Sequence, residues 1–331
     1  MGAQVRTRRP RPQARYTCVV ARLLVLLALA GAVAQTGAGR QTPSGRAGGR
    51  LLIDAVAFDG RGAPVLDLRP EEVEVWIAHY RVPIETFAAV TPASDERPGR
   101  LIVLLLDDAG LPLEMVPRVR DVARRFVTRM SPGDQMAIVM LNGAVMESTD
   151  DRARLLRTIG DYNVRAGMLR VETAGQHVLK TISALSRQLA EAPDQRKTIV
   201  AIGSGGLFDR PIPPPQVGYD VRKEWVEAML AMAASNVNFY VIDPSGMTSG
   251  PGSRVDGGVS GFARETGGMA FLATNDLNGA ADRIMRESAN YYLIGVADPP
   301  NGGGANLREL DVRVLRQGVT IRARRGIPGG R

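Results

Sequence analysis

The sequence predicts an α/β fold: a doubly wound, mostly parallel sheet with helices on both faces, inserted in a small β-sandwich built from the chain's two ends. Three observations carry that expectation. Residues 101–106, L-I-V-L-L-L, are six apolar residues in a row, closed by Arg100 on one side and Asp107-Asp108 on the other. So short a run without alternation reads as a strand buried on both faces. From there to residue 290, similar runs alternate with helix patterns, which implies parallel strands covered on both sides. Residues 50–90 and 291–325 read instead as strands separated by Gly, Pro and Asp turns. Neither piece is large enough to bury a face alone, so each needs the other.

Taken in order, residues 1–34 have the layout of a signal peptide. Arg6, Arg8, Arg9, Arg11, Arg15 and Arg22 form a basic region, residues 23–30 an apolar one, and Ala32-Val33-Ala34 a cleavage site before Gln35. The apolar part is short for a membrane span. The expected location is therefore secreted or periplasmic, and the processed chain is not an integral membrane protein. Residues 35–49 are Gly, Ser, Thr and Arg with little to bury and read as a flexible linker. An N-terminal β segment over 50–93 has strands at 51–58, 73–77 and 81–90, a short extended piece at 64–68 and a turn at 69–72. A polar hinge at 91–99 leads into the α/β domain, 100–290. Its strands are expected at 101–106, 136–141, 198–202, 238–242 and 269–272. Its helices are expected at 113–130, 152–160, 174–190, 222–235, 259–266 and 276–288. A C-terminal β segment, 291–327, has strands at 291–296, 310–315 and 319–323 and a loose tail.

Charge and cysteine usage exclude several classes. The whole chain carries +8, but the first 34 residues hold six Arg and no acid, so the remainder carries +8 less six, or +2. The basic pI therefore belongs partly to the leader and is no footprint of a nucleic-acid binder, which needs a basic stripe on the folded domain. Cys18, the one cysteine, precedes the cleavage site, so the processed chain has neither disulfide nor thiolate chemistry.

The loops after three strands carry the candidate site. One ends in Asp107-Asp108-Ala109-Gly110, one precedes Glu172-Thr173-Ala174 at the head of a helix, and one ends in Ile202-Gly203-Ser204-Gly205. In this order they resemble the three metal-site loops of a von Willebrand factor type A domain. The flanking stretches D-A-V-A-F-D-G-R-G-A-P-V-L-D-L-R-P-E-E-V-E-V, F-A-R-E-T-G-G-M-A-F, N-Y-Y-L-I-G-V and V-T-I-R-A-R-R-G resemble a family of secreted von Willebrand factor A-related proteins described for acidobacteria. The resemblance runs from about residue 50 to 327. It implies the fold above, an adhesion-type binding role and a Mg²⁺ site. The family's first Asp matches Asp107, its Thr matches Thr173, and its third-loop Asp falls on or beside Ser204. Its two serine positions fall on Ala109 and Leu111, which offer no side-chain oxygen. One carboxylate and one hydroxyl make a poor cage for an ion that wants octahedral oxygen ligands. Asp108 and Asp209 are the available substitutes. The alternative is that Asp107 caps the following turn.

Other chemistry does not assemble. Ser204 lacks the G-x-S-x-G spacing of a nucleophile elbow, because Ile202 precedes it by two. Phe208 stands where a dinucleotide fingerprint needs its third Gly. His79 and His177, the only histidines, fall in different segments, and no zinc pattern forms without cysteine. His177 reads as a packing or surface residue. Arg322 and Arg324 alternate with small or apolar residues, which suggests a solvated strand face or a patch for an anionic surface. Pro211, Pro213, Pro214 and Pro215 mark a stiff loop. The expected function is a secreted or periplasmic protein-binding module with a degenerate metal site and no enzymatic activity. The other readings are a periplasmic hydrolase built on Asp107, Thr173 and Ser204, and a scaffold that binds without metal through its β-sandwich. The expected partner is an extracellular or periplasmic protein, not nucleic acid.

Overall fold

The computed structural model describes residues 46–47, 50–92, 99–165, 171–192, 196–204, 222–248, 258–297 and 307–329. The described chain opens with β1 (Arg46–Ala47), inside the stretch read as a linker, and β2 (Arg50–Asp59). A 3-10 turn over Pro70–Glu72 leads into β3 (Val73–Ile77), β4 (Tyr80–Val82) and β5 (Ile84–Val90). The α/β segment follows as β6 (Leu101–Leu106), α1 (Val116–Thr128), β7 (Gln135–Met140), β8 (Val145–Thr149), α2 (Arg152–Asp161), α3 (Val171–Leu189), β9 (Lys197–Ile202), α4 (Arg222–Ala234), β10 (Val237–Ile242), α5 (Gly258–Glu265), β11 (Ala270–Phe271) and α6 (Leu277–Ala289). The chain closes with β12 (Tyr291–Ala297), β13 (Leu307–Val314), β14 (Val319–Ala323) and β15 (Gly326–Pro328).

The protein is mixed α/β, with a mostly parallel six-stranded sheet ordered β11-β10-β9-β6-β7-β8. Only β8 runs antiparallel, against β7. All six residues of β6, of β9 and of β10 are buried, which is why these runs are largely apolar without alternation, with Lys197, Thr198 and Asn238 as buried polar exceptions. Alternate residues of β6 then serve opposite faces. Ile102, Leu104 and Leu106 join a core with Val119, Phe126, Leu155 and Ile284 from α1, α2 and α6. Leu101, Val103 and Leu105 join one with Val178, Ile182, Met232 and Phe262 from α3, α4 and α5. No helix among the described residues is long and apolar enough to cross a membrane.

Strands from either side of this segment pair with one another. β2 pairs antiparallel with β12 and β14, and β5 with β12. In a second sheet β13 pairs with β3 and β15, and β3 with β4. The two sheets share one apolar cluster that includes Ile53, Val75, Ile77, Tyr292, Ile294, Leu310 and Ile327. Residues 81–90 are not one strand. They break at Pro83, and the pieces join different sheets. The β3–β4 connection is a two-residue turn with Ala78 and His79 at φ 48° and 69°, the left-handed geometry that suits a tight hairpin. Residues 326–328, expected to be loose, form β15 with Ile327 fully buried.

The arginine-bearing strand is not a solvated face. Arg322 of β14 donates Nε–H to the Gly267 carbonyl at 3.1 Å and pairs with Glu287 of α6. Arg324 is 3% exposed and points its guanidinium at the carbonyls of Met232, Ala233 and Val237, at 3.4, 3.2 and 3.4 Å. These lie at the carboxyl end of α4 and the start of β10, where a helix presents unpaired acceptors and partial negative charge. Burial pushes the Arg324 guanidinium down to about 10. Gly267 and Gly268 allow the approach. A Cβ on Gly267 would lie 2.9 Å from the Arg324 nitrogen, and one on Gly268 only 1.8 Å from the Phe239 carbonyl oxygen.

A second arginine ties the β13–β14 turn to the 3-10 turn. Arg316 donates to both oxygens of Glu72, at 2.8 and 2.7 Å, and to Asp67 at 2.7 Å. The hydrogen bonds from Arg316 lead in holding the Glu72 carboxyl down to about 2, against an ordinary 4.5. Because the folded value lies below the unfolded one, this contribution to stability is complete above pH 4.5 and disappears as pH falls toward 2. Carboxyl-carbon NMR of Arg316→Ala should show Glu72 titrating back near its ordinary value. An unchanged Glu72 titration would mean that Arg316 does not set it.

Candidate functional site

The strand order reverses between β6 and β9: β7 and β8 lie on one side of β6, and β9, β10 and β11 on the other. At such a switch point the loops leaving neighbouring strands diverge and open a crevice at their carboxyl ends. Asp107 follows β6 at this place, and Gly203-Ser204 follow β9. The two loops are joined directly. Asp107 N–H donates to the Ile202 carbonyl at 3.0 Å. Its Oδ2 accepts from the Ser204 backbone N–H at 3.3 Å. A Cβ on Gly203 would lie 2.5 Å from the Asp107 Cβ, so glycine is required there by proximity.

The other carboxylate oxygen folds its own loop. Asp107 Oδ1 accepts from Ala109 N–H at 3.1 Å and Gly110 N–H at 2.6 Å. A carboxylate offers about four lone-pair sites, and these three N–H donors occupy three of them. The backbone carbonyl of Asp107 accepts from the Tyr162 hydroxyl at 2.5 Å. Asp107 is 2% exposed. Burial raises its carboxyl above the ordinary range, against the three N–H bonds that lower it, and nearby Asp243 adds to the rise. Asp108, also 2% exposed, accepts from Asn142 N–H at 3.0 Å, and its carbonyl accepts from Arg165 N–H at 2.7 Å. Burial raises its carboxyl too.

Among the described residues, the oxygens at this place do not complete an octahedral Mg²⁺ cage. Ala109 and Leu111 supply no oxygen, and Leu111 is not in the loop surface at all: it is buried in the core with Val116 and Phe126. Asp107 keeps a single lone-pair site, and Asp108 faces the Asn142 turn. Thr173 lies in the first turn of α3, and its side chain is outside the described residues; so is Asp209. Among the described residues no group of three or more His, Cys, Asp and Glu side chains is placed to hold a metal. Ser204 contributes its backbone N–H to the arrangement.

Three further residues belong to this edge. His177 of α3 donates Nε2–H to the Leu141 carbonyl at 2.6 Å, one residue before the Asn142 that meets Asp108. It is thus a tie between α3 and the loop after β7. Asp243 follows β10, close enough to Asp107 to raise its carboxyl. Its N–H donates to the Phe271 carbonyl at 3.0 Å, and its Oδ1 accepts from Ser245 at 2.8 Å. Tyr162 follows α2. No spacing links these residues to Asp107; only the sheet order does. The one sequence signal for Asp243 was its place directly after a buried strand. Among the described residues the arrangement is a set of loops locked by backbone-directed hydrogen bonds.

A scan against protein-family models finds no match, and a comparison with curated proteins finds none either. If Asp107 is the tie between two loops, Asp107→Ala should leave three N–H donors without their acceptor. It should lower unfolding free energy by about 3 kcal/mol, read by urea denaturation. A loss within about 0.5 kcal/mol of zero, the range of ordinary surface changes, would refute that role.

Proposed function

We propose that the chain is a von Willebrand factor A-type, secreted or periplasmic protein-binding module that works without catalysis. Its ligand surface is the carboxyl edge of the six-stranded sheet, and the contact does not run through a metal. The sheet order supports the type A resemblance, since it is doubly wound around β6 with one antiparallel edge strand. The observation that carries the binding reading is the character of the carboxyl edge. Asp107 ties the loops after β6 and β9, and the edge exposes large apolar side chains: Leu113 after β6, at 64%, Met247 after β10, at 70%, and Val145 at the head of β8, at 38%. Arg118 of α1 donates to the Pro244 carbonyl at 2.9 Å, which joins α1 to the loop after β10. Rigid scaffolds that present exposed apolar anchors on loops are built for recognition. The two antiparallel sheets then act as the frame that holds this domain outside the cell.

A photo-crosslinking residue at position 113 or 247, introduced into the full chain in the producing cell, should trap a discrete protein adduct. Position 315, where Leu315 is also exposed, at 57%, but lies on the β13–β14 turn, should trap none. Adducts from 315 with none from 113 and 247 would move the binding surface to the antiparallel sheets and refute the assignment.

A further inference from the structure

A second site lies away from the carboxyl edge, where β14 and β13 meet the helices of the α/β segment. A half-open cleft of about 410 Å³ is lined there by Ser260 and Arg264 of α5, Arg283 of α6, Thr320 and Arg322 of β14, and Arg325. That volume is in the range that takes a small ligand. The charge is unbalanced. Arg264 and Arg325 are exposed and make no ion pair among the described residues. Arg283 and Arg322 share one carboxylate, Glu287, which is 7% exposed. Arg322 also has an Nη1 that is buried without a hydrogen-bond partner. Arg324 also lines the cleft, with its guanidinium nitrogens directed at carbonyls. Among the described residues the one acid lining the cleft is Asp311, and it is paired with Arg313 at 2.7 Å. Glu265 stands at the end of α5, where its carbonyl accepts from Arg325 N–H at 2.9 Å. Even counting Glu287 and Glu265 in full, Arg264, Arg283, Arg322 and Arg325 leave two positive charges uncompensated.

We infer that this cleft binds a phosphate monoester, with Arg264 and Arg325 as its free guanidinium donors and Arg322 as a fixed positive charge behind them. Guanidinium groups match phosphate oxygens in fork geometry. A dianion meets the excess charge of two, whereas a carboxylate meets half of it. Ser260 and Thr320 hydroxyls are at hand for the ester oxygens, and Phe58, Met269 and Ile321 give the organic part an apolar wall. The inference stands apart from the protein-binding reading, because none of its residues lies at the carboxyl edge of the six-stranded sheet.

The test is thermal unfolding and calorimetric titration of the purified chain with inorganic phosphate, and with acetate at matched ionic strength. Phosphate at about 100 times its Kd should raise Tm by a few degrees. The double variant Arg264→Ala/Arg325→Ala should weaken binding at least tenfold. Arg286→Ala, an exposed arginine on α6 that does not line the cleft, should bind as the parent does. All three variant positions are exposed, so folding is not at issue. No phosphate-dependent shift, or a shift of equal size in the double variant, overturns the site. An acetate effect equal to that of phosphate overturns the phosphate assignment.

Discussion

The carboxylate of Asp107 is the constraint around which the candidate binding edge is arranged. It sits at the point where the sheet reverses its winding, and loops that leave β6 and β9 there have no strand pairing to hold them. Three backbone N–H groups, from Ala109, Gly110 and Ser204, converge on it instead. Gly203 is the complement of that choice, because any side chain would occupy the place of the Asp107 Cβ. An acid so placed accepts three hydrogen bonds from the loops it stabilises. Its carboxyl is raised by burial, and the hydrogen bonds that keep it in place point inward. A metal-dependent contact needs the opposite: oxygens held together and left open toward solvent.

A comparable constraint governs how the two layers meet. β14 presents Arg322 and Arg324 to the α/β segment, and each guanidinium finds acceptors that the helices and strands leave over: Glu287 on α6, and the carbonyls that end α4 and begin β10. A buried arginine costs desolvation, and here that cost is offset by charge-assisted hydrogen bonds at a helix end. Gly267 and Gly268 let the backbones close to the distance these bonds require. The same packing forms the cleft lined by Arg264, Arg283 and Arg325. A further buried pair, Arg100 with Asp134, joins the start of β6 to the turn before β7 and to Met285 and Ser288 of α6.

Much of the fold was legible because burial leaves a strong mark on a strand covered twice. Residues 101–106, 199–202 and 239–242 are marked by consecutive apolar side chains alone. β8 was not legible: V-M-E-S-T at an exposed edge has neither alternation nor continuity, and it becomes a strand only because β7 offers its edge. β15 is three residues long, and nothing local distinguishes Ile327 from a tail. The arginine strand shows a different limit. The alternation of Arg322 and Arg324 with small residues was read correctly as two faces, but periodicity cannot say which face meets water when the covering element is another layer of the same chain. At the site, Asp107 and Ser204 were legible from the loops that end buried strands, while His177 and Asp243 were not. They reach that edge through sheet order alone. Leu111 is the clearest lesson, since a position that would carry a ligand hydroxyl in a metal site carries a core leucine here.

The most direct test of this account is a titration of the chain with Mn²⁺, followed by backbone amide NMR. A paramagnetic ion held at Asp107 would broaden the Ala109, Gly110 and Ser204 amides before any others, at an ion concentration that a chelator reverses. The account predicts that these three signals keep their intensity relative to the rest of the chain. Their selective loss, abolished in Asp107→Ala, would show a working metal site and contradict it.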